Sequence, residues 1–377
     1  MPTVEEFSTL EGFLSLREEW DLLAEEVAKA SPFFCFDWFL ACVECYGRDK
    51  QPHVLRVTGA SGLLGLAPFW AEEETVRGVT VKQITFIRCP DSPVVDFLVR
   101  DHDRQAALEA IFEHLFSKPT TTWDLISLTQ WPAASENREA VRNILKARRA
   151  RFYQGLSTWT PYVAIEGPWE EFLKTRSAKF RKTQRNVVNR VGRLDNVDIR
   201  VVRQDVDGSA LKALQAVCEK GWKHKQGIAI PSSEASRAFF ARLTDWAGNR
   251  GCLLLSLLVS DGTPIAMEYD LEHAGEVFGL RADFDEEFRE CSPGAYLEYR
   301  LLKRLFDERY RVYNAGPGLD AYKLHWTQAK RENVTINICN AGVKGTWLWL
   351  LERLLLPGAR WARQRANRVT GSRAESH

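Results

Sequence analysis

The sequence lacks the short motifs that mark several large enzyme classes. Its 377 residues contain no Walker-type phosphate loop, no H-E-x-x-H zinc motif and no G-x-S-x-G nucleophile motif. These absences argue against a P-loop nucleotide hydrolase, a zinc protease and a serine hydrolase of the common kinds. One C-x-x-C pair, Cys42 and Cys45, has no second pair to complete a zinc site. The sequence therefore predicts no metal centre.

The chain also lacks a strong net charge and a long apolar run. Its 51 basic and 50 acidic residues give a formal net charge of +1, which argues against a protein that mainly coats nucleic acid. The first residues do not have the basic and apolar segments of a signal peptide, and no apolar stretch reaches the ~20 residues of a membrane span. The eight cysteines are scattered through apolar contexts, as reduced thiols usually are. We expect a cytoplasmic protein.

What is present is enough chain for two domains. With 45% hydrophobic and 27% charged residues, the composition is that of ordinary globular protein. Helix 105–116 and strand 123–128 are followed about 190 residues later by helix 295–309 and strand 311–315, each unit after a hairpin. This repetition predicts two similar αβ domains, with a tail behind them. The predicted boundaries are 1–158, 159–343 and 344–377.

Residues 262–327 contain the best candidate for a site. Strand patterns at 263–271 and 276–283 flank a glycine-bearing turn and predict a hairpin. Ser292-Pro293-Gly294 then precedes a helical pattern, since Ser is a good N-cap and Pro suits the first helical position. A helix N-terminus presents unpaired N–H groups that can hold phosphate. From the spacing alone, an anion site and a simple helix cap both remain open.

The order of these motifs resembles a known family. Ser292-Pro293-Gly294, a helix, a short strand, Gly316-Pro317-Gly318 and Tyr322-Lys323-x-x-Trp326 are similar to the tandem acyltransferases of the GNAT superfamily. The likeness is to the CelD-like group, which is related to the Fem peptidyl transferases, and it extends from about Ser31 to Trp326. The family usually has an acidic or polar residue near Asn314 and an arginine near His325, so the proton-handling residues stay open.

The resemblance implies an α/β (α+β) fold of two tandem GNAT-like domains, each a mixed central sheet flanked by helices, plus a C-terminal amphipathic helix. It also implies that the second domain is catalytic and transfers an acyl group directly from acyl-CoA to an amine. The residues expected to bind the cofactor are Ser292, Pro293, Gly294 and Arg289. The candidates for proton transfer are Glu268, Asp283, Tyr322 and His325. The plainer alternative is that Glu268 and Asp283 are outward-facing strand residues and that Tyr322 is a core aromatic.

A basic segment precedes the second domain. Eight basic residues and no acidic one occur from Lys174 to Arg193. Because like charges repel on one helix, a partner is expected, although a solvated face, a phosphate or anionic-acceptor clamp and a contact with tRNA or anionic lipid all stay open. In the resembled family a Ser-x-Lys-x-Arg segment lies at this place. The residues predicted to bind substrate are Lys179, Arg181, Trp222 and Lys323.

The tail is rich in tryptophan, leucine and arginine. This composition suits a helix that lies in a membrane interface, and it suits equally a helix packed on the domain with a basic end. The first alternative predicts binding to an anionic membrane surface and a peripheral location on the inner face of the membrane.

The function predicted from the resemblance is acyl-CoA-dependent N-acylation of an envelope precursor. The expected acceptor is a small-molecule or lipid amine, either a sphingoid-base-like amino lipid, giving a ceramide-like product, or an amino sugar. A first alternative is a Fem-like aminoacyl transferase that uses aminoacyl-tRNA, the one case in which nucleic acid would be a partner. A second is a non-catalytic accessory protein of polysaccharide synthesis.

Overall fold

A computed structural model describes residues 2–27, 31–60 and 62–355. The strands are β1 Thr3–Phe7, β2 Gln51–Gly59, β3 Gly62–Val76, β4 Val79–Phe86, β5 Leu98–Val99, β6 Leu125–Pro132, β7 Arg151–Ala164, β8 Asp198–Val202, β9 Leu253–Ser260, β10 Thr263–His273, β11 Glu276–Phe284, β12 Val312–Asn314 and β13 Lys330–Cys339. The helices are α1 Leu10–Ser15, α2 Arg17–Val27, α3 Phe36–Tyr46, α4 Arg104–Ser117, α5 Glu136–Ala147, α6 Trp169–Lys174, α7 Ala178–Val191, α8 Ser209–Lys220, α9 Trp222–Lys225, α10 Glu234–Asn249, α11 Pro293–Asp307, α12 Ala321–Trp326 and α13 Val343–Leu350. Most of the predicted tail helix lies outside the described residues.

Within the described residues the strands form one mixed, 13-stranded sheet. Its order is β1-β2-β3-β4-β6-β13-β7-β12-β11-β10-β9-β8, and β5 pairs with β3 away from this path. In each half an antiparallel hairpin is followed by a parallel neighbour, β4 beside β6 in the first half and β11 beside β12 in the second. Helices flank the sheet. The predicted α/β fold of two similar halves is confirmed.

The last strand of the described residues, β13, lies in the middle of the sheet. β13 pairs antiparallel with β6 on one side and with residues 151–161 of β7 on the other, while residues 162–164 of β7 pair with β12. The predicted boundaries at 158 and 343 place β13 with the second domain, whereas its hydrogen bonds place it in the sheet of the first half. Such pairing between distant segments leaves no local pattern in the sequence.

One hydrophobic core joins the two halves. Phe33 meets Phe278 of β11 edge-on with 5.2 Å between the ring centroids, and Trp38 meets Phe239 of α10 at 5.3 Å. All four side chains are at least nine-tenths buried. The first half therefore packs directly against β11 and α10 of the second half and helps to fix their positions.

Candidate active site

A cavity of about 530 Å³ opens where two parallel strands separate. β11 and β12 pair only from Glu276 to Phe278, after which β11 continues to Phe284 and the chain after β12 turns away at Gly316. Gly316 has a φ of +74°, and a Cβ atom there would lie 2.6 Å from the carbonyl oxygen of Gly279. Only glycine fits this turn, so the turn keeps the cavity open between the strands.

The cavity is lined from both faces of the sheet. Glu268 of β10 lies opposite Ala282 in the register, and Met267 lies opposite Asp283. Because side chains alternate along a strand, Glu268 and Asp283 point to opposite faces. Both of these predicted catalytic residues line the cavity, as does the predicted substrate residue Trp222 on the side of Asp283. The opening therefore passes through the sheet.

Three buried carboxyl groups form the floor of the cavity. Glu268 and Asp270 stand two residues apart on one face of β10, and Glu298 reaches them from α11; their exposed fractions are 3%, 1% and 7%. One oxygen of Glu268 and one of Asp270 have no hydrogen-bond partner among the described residues. A buried polar atom without a partner is costly, so these oxygens are available to a ligand.

Burial changes the protonation of this cluster. It raises the pKa of Glu268 and of Asp270 well above their usual values, and the neighbouring carboxyl groups raise both further. Burial also raises the pKa of Glu298, to about 7, against the opposing effects of Trp326 and Lys323. Like charges this close do not all ionise together, so the cluster holds at least one proton at neutral pH.

On the other face, Asp283 lies against the backbone of Gly221 beside a half-buried lysine, Lys223. A Cβ atom at Gly221 would lie 2.4 Å from the Asp283 carboxylate, so the contact needs glycine. Burial raises the pKa of Asp283 and lowers that of Lys223, and each residue partly offsets the shift of the other. The Lys223 ammonium donates to the carbonyl of Ala282 at 2.5 Å. This face of the sheet thus brings an acidic side chain, Asp283, and a basic one, Lys223, close together.

The first turn of α11 faces the cavity at Gly294 and Ala295. Ser292 occupies the N-cap position in a left-handed conformation, φ 56° and ψ 54°, and its side chain does not cap the helix. Its hydroxyl instead accepts a hydrogen bond from Arg190 of the basic helix α7 at 3.1 Å. Because no side chain caps the first turn of α11, its backbone N–H groups are available to bind an anion. The start of this helix would therefore fit a pyrophosphate group.

Two predicted residues lie at the mouth of the cavity on α12. Tyr322 as a whole is 46% exposed. Burial of its hydroxyl nevertheless raises the pKa of the phenol. Lys323 is buried and donates to the carbonyl of Pro317 at 2.7 Å and to that of Gly316 at 3.4 Å, while Asp320 pairs with it at 3.0 Å. Lys323 therefore holds the glycine turn, and these three partners use its three donors.

The remaining predicted site residues differ in their positions. Ser292, Gly294 and Arg289 line the cavity, whereas Pro293 is buried at the start of α11 and does not. Arg289 is paired with Glu286.

Three further candidates lie outside the cavity. His325 is exposed and packs near Phe180, with 6.0 Å between the ring centroids. Arg181 donates to the carbonyls of Lys174 and Arg176 at 3.0 and 2.5 Å. Lys179 is exposed, 11 residues from Arg190 on α7 and so about 16 Å along the helix axis. The structure brings none of the three to the cavity, and their roles stay predictions.

Reasoning from the sequence missed Asp270, Glu298 and Lys223. The signals were present, because Asp270 shares the strand face of Glu268 and Glu298 interrupts the apolar stripe of α11. Lys223 gave no comparable signal.

Within residues 2–27, 31–60 and 62–355, no group of three or more His, Cys, Asp or Glu side chains is arranged to hold a metal ion. In the same ranges no helix is long and apolar enough to cross a membrane.

Comparison with known proteins gives the class of fold. Residues 178–324, which include most of the cavity, match a family model described as acetyltransferase (GNAT) domain. This segment is less than half of the chain. A comparison with curated protein sequences gave no match. The second half of the chain thus has the GNAT acetyltransferase fold.

Solved structures extend the similarity to nearly the whole chain. A crystal structure of FemX is 13% identical, covers 92% of this chain and 99% of its own, and superposes with a TM-score of 0.60. L-PGS from Bacillus licheniformis is 14% identical, with 89% and 96% covered and a TM-score of 0.54. A conserved protein of unknown function from Bacteroides thetaiotaomicron is 13% identical, with 90% and 100% covered and a TM-score of 0.55. At these identities the likeness is one of fold, and that fold includes both halves.

Proposed function

We propose that the protein transfers an acyl group from acyl-CoA to a primary amine. The observation that carries this proposal is one cavity that joins an uncapped helix N-terminus to a cluster of buried, partly unpartnered carboxyl groups. The first feature suits the phosphates of the donor, and the second suits a cationic acceptor. The GNAT fold of residues 178–324 supports an acyltransferase class.

The donor side of the proposal is the start of α11. The amides of Gly294 and Ala295 and the positive end of the helix dipole would hold the pyrophosphate of CoA. Arg190, fixed on the Ser292 hydroxyl, adds a positive charge at the same place. The free edge of β11 between Gly279 and Phe284 would receive the rest of the donor, because its backbone groups there have no strand partner on the side of β12.

The acceptor side is the carboxyl cluster. A primary amine is an ammonium ion in water and must lose a proton before it attacks a carbonyl. Glu298 is suited to take this proton, since its pKa of about 7 is close to neutral pH. Glu268 and Asp270 would hold the ammonium group through their unpartnered oxygens. The cluster would thus both select a cationic amine and deprotonate it.

Completion of the reaction needs one further group, an acid for the departing thiolate. The amine nitrogen forms a bond to the thioester carbon, and the bond between that carbon and sulfur breaks. The departing thiolate takes a proton from Tyr322, whose raised pKa keeps the phenol protonated, and the phenol recovers one from the new amide nitrogen through water. Gly316 and Lys323 keep Tyr322 at the mouth of the cavity, because they fix the turn that precedes α12.

The acceptor class rests on the motifs shared with the CelD-like group. On that basis we infer an envelope precursor, either an amino lipid of the sphingoid-base type, giving a ceramide-like product, or an amino sugar. Glu268 and Asp270 suit the amine of either acceptor.

A second candidate is transfer from aminoacyl-tRNA. It is favoured by the exposed basic residues of α7 and the turn that follows it, which are Lys179, Lys182, Arg185 and Arg193. Such a face would attract a phosphate backbone. This candidate uses the same carboxyl cluster for the amine and does not need CoA.

The test measures binding of acyl-CoA of several chain lengths to the full chain by calorimetry, with Gly294→Leu as the variant. A leucine there projects from the first helical turn beside Phe284, whose ring is 3.4 Å from the position of a Cβ atom. We expect at least about tenfold weaker binding, since the side chain fills the anion site. Lys303→Leu, further along the same helix, is the matched control and should bind as the parent does.

Each other outcome assigns the protein differently. Unchanged affinity of Gly294→Leu would show that the pyrophosphate does not bind at α11. Failure of the parent chain to bind any acyl-CoA, with amine acylation from aminoacyl-tRNA, would establish the second candidate. Failure of both would leave an accessory role without catalysis.

A further inference from the structure

α13 is packed on the first half through one side and exposed on the other. Leu348 is completely buried in a small cluster with Val81, Leu125 and Cys339. On the outer side, Val343 is 89% exposed and Trp347 is 46% exposed. These two residues are four positions apart and so stand on one side of the helix. A large aromatic and a β-branched residue are thus presented to solvent together.

Basic side chains lie on α13 and on the elements beside it. Arg151 of β7 donates to the hydroxyl of Thr346 at 2.5 Å, and Lys344 donates to the carbonyl of Thr80 at 2.7 Å. A cavity of about 340 Å³ beside the start of α13 is lined by Arg151 together with three more basic residues, which are Lys118, Arg148 and Arg149. We call α13 and these basic residues, with Arg77, the tail face.

Four acidic side chains pair with four of the six basic ones of the tail face. Glu113 and Glu6 pair with Arg148 and Lys118 at 4.0 and 2.5 Å, and their side chains are 74% and 28% exposed. Glu352 and Asp124 have side chains 14% and 13% exposed, and they pair with Arg77 and Lys344, whose side chains are 50% and 49% exposed. Six basic residues against these four acids leave the tail face with a net positive charge. The sequence continues this bias, since residues 356–377 contain five arginines and one glutamate.

We propose that the tail face docks on an anionic lipid surface. Tryptophan favours the boundary between headgroups and acyl chains, and nearby basic residues are attracted to anionic headgroups. The presence of exposed Trp347 on a face with four exposed cations fits this one occupant better than a protein partner, because a protein interface would bury the cations and need matching acids. The inference is independent of the reaction in the other half.

The test is co-flotation of the full chain with vesicles of phosphatidylglycerol mixed with phosphatidylcholine, compared with vesicles of phosphatidylcholine alone. We expect at least about tenfold tighter binding to the anionic vesicles, and loss of that preference at high salt. Trp347→Ser and Arg149→Glu should each reduce binding severalfold. Matched controls on other surfaces are Val206→Ser, at a valine 87% exposed, and Arg193→Glu, at an exposed arginine of the turn after α7.

Three results would overturn the proposal. They are equal binding to neutral and anionic vesicles, no binding to either, and unchanged binding by Trp347→Ser and Arg149→Glu. A chain that ends at Leu355 separates the contribution of the arginine-rich segment. If its removal abolishes binding while the two tail-face variants bind as the parent does, the segment alone binds lipid and the tail face does not. Unchanged thermal melting of each variant shows that the fold is intact.

Discussion

Each half of the molecule has buried or half-buried carboxyl groups, and the two sets differ in their hydrogen-bond partners. Asp96 in the first half accepts hydrogen bonds from Trp131, Ser135 and Asn137 at 2.8, 2.5 and 3.1 Å. Glu268 and Asp270 in the second half each keep an oxygen without a partner among the described residues. Burial raises the pKa of all three. Asp91 of the first half also has an oxygen without a partner, but its other oxygen pairs with Arg281 at 2.6 Å. Glu268 and Asp270 have no such cationic partner among the described residues, and this difference distinguishes the site.

The same contrast appears in the space between the strands. In the first half, β4 and β6 pair in parallel as β11 and β12 do. Beyond that pairing Phe86, Phe97 and Trp131 pack together, with ring centroids 5.3 to 5.7 Å apart. The corresponding place in the second half is a cavity lined by acids. The two halves share a strand topology. The space beyond the parallel strands is filled by core aromatics in the first half and is a cavity lined by polar residues in the second.

The largest effect is expected at Glu298. Glu298→Gln should lower kcat/KM for amine acylation by about 100-fold or more, because the amide keeps the shape and cannot accept the proton. The melting temperature should be equal or higher, since a costly buried acid is removed. Glu290→Gln, an exposed glutamate outside the cavity, is the matched control. Activity close to that of the parent would mean that another group takes the proton.

The opposite result is expected at Asp96. Asp96→Ala should lower the free energy of unfolding by about 3 kcal/mol, because one buried and two half-buried donors lose their acceptor at once. Denaturant titration measures this, and Asp49→Ala at an exposed aspartate is the control. The kcat/KM of the folded fraction should be unchanged. A loss of activity without a loss of stability would remove the distinction between the two kinds of buried acid.

The smallest effect, measured per pH unit, is the pH dependence of stability. The native pKa of Glu298 is about 7 against an ordinary 4.5, so between these values the native state keeps a proton that the unfolded state releases. Stability from this group is full below about pH 4.5 and is lost as pH rises to about 7, by up to about 1.4 kcal/mol per pH unit. Unfolding titrations of the parent and Glu298→Gln should diverge with this sign. Parallel curves would show that Glu298 titrates normally.

Elements with local signals could be predicted from the sequence. The hairpin of β10 and β11 has turn residues between β-rich runs, and α11 has proline at its first position, as expected. The predicted role of Ser292 as a side-chain cap was not found, since its hydroxyl bonds Arg190 instead. A contact between residues 102 positions apart cannot be derived from local pattern.

Elements that depend on distant partners could not be predicted. The sequence predicts a strand only from Thr160, whereas β7 begins at Arg151, because its first part is held by β13. Phe152, Tyr153 and Trp159 favour strands, but the residues before Thr160 show no alternation of buried and exposed side chains. In the site, Glu268, Asp283 and Tyr322 were identifiable as residue types in motifs, but the closure of Glu298 over β10 required the packing of α11.

The position of β13 has a consequence for biosynthesis. Residues 330–339 fill the gap between β6 and β7, so the sheet of the first half stays open until at least residue 339 has left the ribosome. The second half, whose strands are neighbours in sequence, can assemble earlier. Chains that stop before residue 330 would expose two unpaired edges, which invite aggregation. The portion synthesised first is thus the portion completed last.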